Sequence, residues 1–421
     1  MEVFHFPLSD NVTDQSDLYW AWALTPLPAP ASPADSAFLR IRLMAPEAAL
    51  TRAAAEFSRL GGIASTPAQA APPLQERVAV ILAGTAAQFE RFIAGAAAPV
   101  ADAVRTTLRA AISPPPTVTL GPHRFNFASR VYVAGILNNT PDSFYDRGRY
   151  YGLDAALARA DEMIREGVDV IEVGGETAQQ GEPVPSGEEI QRVAPLIAAL
   201  VRRYDRPVAV DTYKPAVAKA AIDAGAVLVN DISGAADPEM VRVIATSHAG
   251  IVIMHLHGHP KHHYTDIDVP SMMDWVAAFL WRRTKELIAA GVPRERILVD
   301  PGLNFGKHPS RDIELMRRLP ELRSLGFPIF VATSRKDYIR DLLRLHPTDL
   351  LEGTAAAVAF AIAQGANMLR VHDVQAMVRV ARMMEYFCGY QDASTRGRAQ
   401  APQHDTAKIT GTTTASHKEG R

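Results

Sequence analysis

Polar side chains close three of the short apolar runs in the second half of this chain. Two of the runs end in aspartate, at Asp211 and Asp300, and a third ends in Asn230. A buried carboxylate is costly unless it is paired, so these side chains predict a ligand that offers a fork of N–H donors, such as the edge of an aminopyrimidine ring. The competing structural interpretation is that each aspartate caps the next helix or pairs with Lys214 or Lys307.

Cationic side chains follow the last apolar run. Arg370 and His372 are alternate residues, so in a strand they share a face, and an arginine fork beside an imidazole suits a phosphate or pyrophosphate. The simpler alternative is that Arg370 pairs with Asp373. Asn138 ends the first run, and its amide oxygen could help to hold a Mg²⁺ ion that keeps most of its waters. Such an ion lowers the cost of a departing pyrophosphate.

Ser334 and Lys336 follow the seventh run. Lys336 is placed to donate to a ring nitrogen or carbonyl of a heterocycle, while Ser334 either caps the next helix or touches a second substrate. Five histidines lie between residues 255 and 263, but no acidic or cysteine partner stands at ligand spacing. We therefore do not predict a zinc site there.

These residues need elements that bring them together. Eight short apolar runs alternate with segments of helical periodicity over roughly 250 residues, which predicts a (β/α)₈ TIM barrel with its chemistry at the C-terminal ends of the strands. The predicted strands are 131–137, 168–174, 207–211, 227–231, 250–255, 296–300, 328–332 and 367–371. The polar residues at their ends are Asn138, Asp211, Asn230, His255, Asp300, Ser334, Lys336, Arg370 and His372.

Length and composition suggest a barrel with a smaller addition. The chain has 421 residues, 48% of them hydrophobic, and a formal net charge of −2, so no general attraction to nucleic acid or to a membrane is expected. One cysteine, Cys388, and the lack of a secretion signal or a membrane-spanning run predict a cytoplasmic protein. Residues 1–120 read as a small α+β domain, 128–390 as the barrel and 392–421 as a disordered tail.

Eight segments resemble, in order and spacing, the motif set of the dihydropteroate synthase family. They are NNTPDSF, VGGET, DTYKP, NDISG, the Met-His of IVIMH, DPGLNFGK, SRK and RVHDV, and the resemblance covers about residues 130–387. It implies a pterin-binding TIM barrel that joins 6-hydroxymethyl-7,8-dihydropterin diphosphate to 4-aminobenzoate and releases pyrophosphate. Barrels of this family are commonly homodimers.

The resemblance also implies a role for each matching residue. Asp211, Asn230, Asp300 and Lys336 would hold the pterin, with Met254 lining its pocket. The diphosphate and Mg²⁺ would be held by Asn138, Arg370 and His372, and Ser334 would lie beside the aminobenzoate. On this view Asp211, Asp300, Lys336, Arg370 and His372 carry the catalysis, because the carboxylates stabilise the cation left when the diphosphate departs.

The second segment departs from the family pattern. The family typically has Glu-Ser-Thr-Arg-Pro-Gly where this chain has residues 176–181, ETAQQG, so Ala178 and Gln179 replace a hydroxyl and a fixed cation. Glu172 stands at a usual aspartate and Asn139 at a usual valine.

Two other functions remain open on sequence alone. A non-catalytic or altered-substrate member of the family would explain the changed loop. A pterin-dependent methyltransferase domain would share the barrel, but it has no diphosphate to bind with the retained SRK and RVHDV segments.

Overall fold

The computed structural model describes residues 20–24, 39–45, 47–65, 68–69, 78–84, 86–112, 117–141, 149–177, 181–264 and 269–390. Three sequence predictions concern residues outside these ranges. They are the disordered tail, the altered loop residues 178–180, and a linker predicted at 114–116, where three consecutive prolines cannot continue a helix.

The N-terminal part of the chain forms an antiparallel sheet covered by helices, as the sequence predicts. Its elements are β1 (Trp20–Leu24), β2 (Leu39–Ala45), α1 (Glu47–Arg59), β3 (Ile63–Ala64), β4 (Ala68–Gln69), β5 (Val78–Gly84), α2 (Ala86–Gly95) and α3 (Ala98–Ile112). The order in the sheet is β1-β2-β5-β3, with β4 also paired to β5. The helices bury Phe57, Phe89 and Phe92 against each other, with the ring centroid of Phe57 4.7 Å from that of Phe89 and 5.4 Å from that of Phe92. This part therefore has its own hydrophobic core.

The larger part of the chain is the predicted barrel. Its strands are β8 (Tyr132–Asn138), β9 (Val170–Gly174), β10 (Val208–Asp211), β11 (Leu228–Asp231), β12 (Gly250–Met254), β15 (Ile297–Asp300), β16 (Phe330–Val331) and β17 (Met368–Val371). Its helices are α4 (Leu153–Glu166), α5 (Ser186–Arg203), α6 (Pro215–Asp223), α7 (Pro238–Ala245), α8 (Met272–Ala289), α9 (Pro309–Arg317), α10 (Asp337–Leu343), α11 (Leu351–Ala363) and α12 (Val374–Phe387). A short hairpin, β13 (Gly258–His259) and β14 (His262–His263), follows β12.

All eight barrel strands are parallel and lie in the order β15-β12-β11-β10-β9-β8-β17-β16. A bridge between Val299 and Ile329 joins the two ends of this order and closes the barrel. The strands are almost wholly buried because helices cover the outside and side chains fill the inside, which explains their near-continuous apolar sequences.

One predicted helix is interrupted. The sequence pattern predicts a helix over 311–322, whereas α9 ends at Arg317 and a 3₁₀ helix spans Leu319–Leu325. Pro320 has no backbone N–H to continue the α-helical ladder, so the chain tightens there. Both α3 and β1 pack against this 3₁₀ helix, which joins the N-terminal part to the barrel. Within the described residues no helix is long and apolar enough to cross a membrane.

A hairpin that the sequence analysis did not predict closes the N-terminal end of the barrel. It consists of β6 (Thr117–Leu120) and β7 (His123–Asn126). Val118, Leu120, Phe125 and Phe127 pack on the lower ends of the strands and on Phe330. Among the described residues this hairpin therefore blocks one end of the barrel, and the opposite end is the one left for ligands.

Removing an aromatic side chain from this floor should destabilise the barrel. Phe127 is fully buried, so Phe127→Ala is expected to lower the free energy of unfolding by about 3–5 kcal/mol, which urea titration would measure. Ile288→Ala on α8 is the control, because Ile288 is 39% exposed and its truncation should cost far less. Equal losses in the two variants would contradict a packed floor.

Candidate active site

The polar residues predicted from the sequence come together at the open end of the barrel. The strand pairing aligns Asp211 with Asn230 on one side and with Gly174 on the other, and Gly174 is aligned with Asn138. On the far side of the barrel Met254 is aligned with Asp300. Because parallel strands end at the same edge, these side chains form one ring.

Arg370 is the cationic centre of the ring. Its Nε donates to a carboxylate oxygen of Glu172, and its Nη2 donates to Asp211. The alternative pairing of Arg370 with Asp373 is wrong, because Arg335 holds Asp373 through two hydrogen bonds of 2.7 and 2.9 Å. Burial alone would lower the pKa of Arg370, but Glu172 and Asp211 together raise it, so the guanidinium stays charged.

Glu172 is a site residue that the sequence analysis noted as a departure but did not place in the site. Its side chain is completely buried, and its second oxygen accepts a hydrogen bond of 3.3 Å from Asn230 Nδ2. Burial raises the pKa of Glu172 to about 7, although Arg370 opposes the shift. Burial also raises the pKa of Asp211, against Arg370 and Lys336. The sequence feature that could have predicted the role of Glu172 is its position as a charged residue inside the otherwise apolar strand β9.

Asp300 is fixed by the loop that follows β15. The N–H of Gly302 donates to Asp300 Oδ1 at 2.7 Å, and burial raises the pKa of this carboxyl group to about 6. Lys307 does not pair with it, because its Nζ donates to the backbone carbonyls of His255, Gly302 and Phe305 at 2.6–3.0 Å. The buried lysine therefore holds the loop that shapes one wall of the site.

Lys214 is not the partner of Asp211 either. Its Nζ donates to Glu189 at 2.6 Å, to Glu176 at 2.9 Å and to the carbonyl of Val184 at 2.6 Å. The purely structural interpretation of the two aspartates is therefore wrong in both of its proposed pairings. The carboxyl groups of Asp211 and Asp300 instead lie at the barrel mouth, at the ends of β10 and β15.

Lys336 lies over the ring of Phe305, with its Nζ 4.3 Å from the ring centroid. Burial, followed by the charge of Arg370, lowers its pKa to about 8. Phe305 in turn belongs to an apolar cluster with Met254 and Ile232. The cluster offers an apolar surface on which a flat heterocycle could lie, next to the polar side chains at the barrel mouth.

Ser334 and His372 contact each other. The backbone N–H of His372 lies 3.2 Å from Ser334 Oγ, and its Nδ1 lies 3.1 Å from the same oxygen. Ser334 does not cap the next helix, where Lys336 holds the capping position. Burial and the charge of Arg370 lower the pKa of His372 to about 3, so the imidazole is neutral and offers hydrogen bonds but no charge.

One predicted member of the ring points elsewhere. His255 ends β12, but its imidazole packs edge-on against Trp275 and Phe279 of α8, with ring centroids 4.7 and 5.0 Å apart. The placement of His255 in the site is therefore wrong. Within the described residues no group of three histidine, cysteine, aspartate or glutamate side chains could hold a metal.

Two polar side chains, Asn139 and Lys261, link loops near the ring to neighbouring segments, and Asn139 stands where the family pattern has valine. Asn139 Nδ2 donates to the carbonyl of Arg192 at 2.7 Å, and its Oδ1 accepts from Gly152 N at 2.9 Å. Lys261 Nζ donates to the carbonyl of Thr177, next to the altered loop, at 2.9 Å.

The loop after β15, which forms one wall of the site, leaves no room for a side chain at Gly302. Its φ is +71°, and a Cβ atom there would lie 1.9 Å from the carbonyl oxygen of His255. Gly302→Ala should therefore displace Asp300. For the synthase reaction that the resemblance implies, we expect kcat/KM to fall by at least about 100-fold, equivalent to roughly 3 kcal/mol. The control is Gly187→Ala in α5, where a Cβ atom would have nothing within 4 Å. Steady-state kinetics of both variants measure the difference, and unchanged kinetics in Gly302→Ala would contradict this account of the wall.

Comparisons with known proteins agree with this geometry. The profile of the pterin binding enzyme family matches residues 134–372. A dihydropteroate synthase of Synechocystis is 39% identical over 274 residues, which are 64% of this chain and 95% of that protein. An inactive dihydropteroate synthase 2 of Mycobacterium leprae is 40% identical over 263 residues, or 61% of this chain and 90% of that protein. The Yersinia pestis dihydropteroate synthase, solved in complex with a sulfonamide drug, is 35% identical with a TM-score of 0.62, covering 65% of this chain and 99% of that one.

A (β/α)₈ barrel whose mouth carries this ring defines a pterin-binding enzyme, and the chain belongs to that family. The relatives cover the barrel almost completely. Within the family the chain is a member of the dihydropteroate synthases.

Proposed function

We propose that this protein is a dihydropteroate synthase, a transferase of folate biosynthesis. It joins 6-hydroxymethyl-7,8-dihydropterin diphosphate to 4-aminobenzoate and gives 7,8-dihydropteroate and pyrophosphate. The observation that carries the proposal is a single barrel mouth that holds hydrogen-bond acceptors for a pterin next to a buried arginine for a diphosphate.

The acceptors suit the N–H-rich edge of a pterin. Asn230 Oδ1 is buried without a hydrogen-bond partner, and a buried acceptor of this kind is expected to find one in a ligand. Asp211 and Asp300 supply carboxylates, and Lys336 supplies a donor for a ring nitrogen or carbonyl. Met254 lines the apolar surface beneath the ring. The bound heterocycle would therefore lie between Phe305 and the polar ring.

The diphosphate would lie against Arg370 and His372. The guanidinium offers a charged fork, and the neutral imidazole offers a directional hydrogen bond beside it. The diphosphate would therefore lie next to Asp211, one of the carboxylates that hold the pterin, because Arg370 contacts both.

Asn138 would contribute an oxygen to Mg²⁺. A Cβ atom at Gly174 would lie 2.8 Å from Asn138 Oδ1, which locates this amide oxygen at the rim between β8 and β9. A single neutral oxygen fits Mg²⁺, which usually takes its other ligands from water and substrate phosphates. When bound, the ion would neutralise charge on the leaving pyrophosphate.

The reaction needs no covalent enzyme intermediate. The bond between the pterin methylene carbon and the diphosphate oxygen breaks, and the electron pair leaves with pyrophosphate. Asp211 and Asp300 stabilise the positive charge that spreads over the pterin. The amine of 4-aminobenzoate, lying beside Ser334, then attacks the methylene carbon and loses a proton to solvent.

An inactive or altered family member is the second candidate. It is favoured by Ala178 and Gln179, which stand where the family pattern has a hydroxyl and a cation. Growth complementation distinguishes the two: a bacterial strain that lacks its own dihydropteroate synthase should grow without folate end products when it carries this protein. The Arg370→Met variant should not support growth. Failure of the wild-type protein, although soluble and able to bind the pterin diphosphate, would favour the second candidate.

The protein should form a homodimer through α11 and α12. Met383, Tyr386 and Phe387 are 50–70% exposed and lie three and four residues apart on one face of α12, while Phe360 of the adjoining α11 is 41% exposed. Phe387→Glu should therefore shift the mass measured by light scattering from dimer to monomer, and a wild-type monomer would contradict the proposal.

A cytoplasmic location is also proposed, because the exposed thiol of Cys388 suits a reducing compartment.

A further inference from the structure

Arg370 is held by two carboxylates that differ in their accessibility. Its Nε binds Glu172, whose side chain is 0% exposed, and its Nη2 binds Asp211, whose side chain is 16% exposed. A ligand that enters the barrel mouth can therefore compete for Asp211 but cannot reach Glu172.

Glu172 also links distant strands. It lies on β9, whereas Arg370 lies on β17 and Asn230 on β11, and each of these strands is two places from β9 in the sheet. With about 4.8 Å between neighbouring strands, the side chain bridges a large part of the barrel interior. The long side chain of a glutamate suits this span.

We propose that Glu172 is a positioning residue that anchors Arg370 through Nε while Nη2 exchanges from Asp211 to the diphosphate. The inference rests on the proposed function. When a pterin takes the oxygens of Asp211, the guanidinium loses one partner but stays in place on Glu172, with Nη2 directed to the mouth. Recognition of the pterin and of the diphosphate is then coupled.

Charge supports the exchange. Arg370 faces two carboxyl groups, so its positive charge is offset while Asp211 is its partner, and an anion is disfavoured beside it. Once the pterin satisfies Asp211, the Arg370–Glu172 pair presents unpaired N–H donors to an anion. Linkage requires that the diphosphate strengthens pterin binding by the same factor.

The wild-type protein provides the first test. Calorimetry would measure the Kd of pyrophosphate with Mg²⁺, alone and with saturating 6-hydroxymethylpterin, which lacks the diphosphate. We expect pyrophosphate to bind about tenfold more tightly when the pterin is present, within the usual range of coupling between sites. Equal Kd values would overturn the inference. Absence of any pterin binding would instead overturn the proposed function.

Two substitutions test the anchor itself. Glu172→Met keeps the length of the side chain but removes the acceptor, so pyrophosphate affinity in the pterin-filled protein should fall about tenfold, as for the loss of one charge-assisted hydrogen bond. Glu172→Gln keeps an oxygen for Nε and should retain most of that affinity. Equal losses in the two variants, or no loss in Glu172→Met, would overturn the anchoring role.

Glu385→Met is the matched control. Glu385 is also a buried glutamate that holds an arginine, Arg382, but it bonds Val131 N at the start of the barrel, away from the mouth. Its replacement should leave both ligand affinities unchanged. A loss equal to that in Glu172→Met would assign the effect to general destabilisation and overturn the inference.

Discussion

The Arg370→Met variant is expected to lose about 1,000-fold in kcat/KM for the dihydropterin diphosphate. A charge-assisted hydrogen bond contributes about 1.5–3 kcal/mol, and two of them to the diphosphate therefore account for roughly two to four decades. The substitution also leaves Glu172 and Asp211 buried without their cation, which raises the cost of ionising both. Steady-state kinetics with 4-aminobenzoate held at saturation would measure the loss.

The matched control for this prediction is Arg382→Met. Arg382 is likewise a partly buried arginine between two carboxylates, Glu385 and Asp169, but it lies at the closed end of the barrel. Its loss should lower stability and leave kcat/KM nearly unchanged. Equal kinetic losses in the two variants would show that Arg370 has no specific role in the diphosphate site.

The second large effect is expected for Asp300→Asn. This change keeps the shape of the side chain and an oxygen for Gly302 N, but it removes the negative charge that holds the pterin and stabilises the cation. Loss of one charge-assisted contact and of an electrostatic contribution to the transition state should lower kcat/KM by about 1,000-fold. Asp274→Asn is the control, since Asp274 of α8 is also buried but accepts its hydrogen bond from Arg318 Nη2, away from the ring. A similar loss in both variants would contradict a specific role for Asp300.

The pH dependence of the wild-type protein follows from the same carboxylate. Burial raises the pKa of Asp300 to about 6, so the ionised form that accepts pterin N–H groups is lost as the pH falls through 6. The kcat/KM value, which reports groups in the enzyme before substrate binds, should therefore fall below about pH 6. The acid limb of Asp300→Asn should be shallower, since Asp211, the other carboxyl group that accepts from the pterin and whose pKa burial also raises, still titrates. An acid limb of the same slope in the wild type and the variant would contradict the assignment.

The barrel could be predicted from the sequence because its strands and helices have distinct apolar periods. The pattern predicts a helix over 153–166, for example, and α4 spans Leu153–Glu166. The hairpin β6–β7 was not predicted, because four-residue strands give too short a pattern. Its role as the barrel floor depends on contacts with strands far away in sequence.

The composition of the site was also predictable, but its pairing was not. Residue type at strand ends identified Asp211, Asp300 and Arg370, and it wrongly included His255, because the last residue of a strand can turn its side chain inward or outward. The partners of Arg370 could not be read from the sequence. Glu172 lies 198 positions from Arg370, and only closure of the barrel brings the two together.

The most direct test of the central claim is to measure pyrophosphate and dihydropteroate in one reaction. The purified protein would be supplied with Mg²⁺, the dihydropterin diphosphate and 4-aminobenzoate. A dihydropteroate synthase should release both products at equal rates, and Arg370→Met should abolish both. Pyrophosphate without dihydropteroate, or neither product despite tight pterin binding, would contradict the claim and identify an altered member of the family.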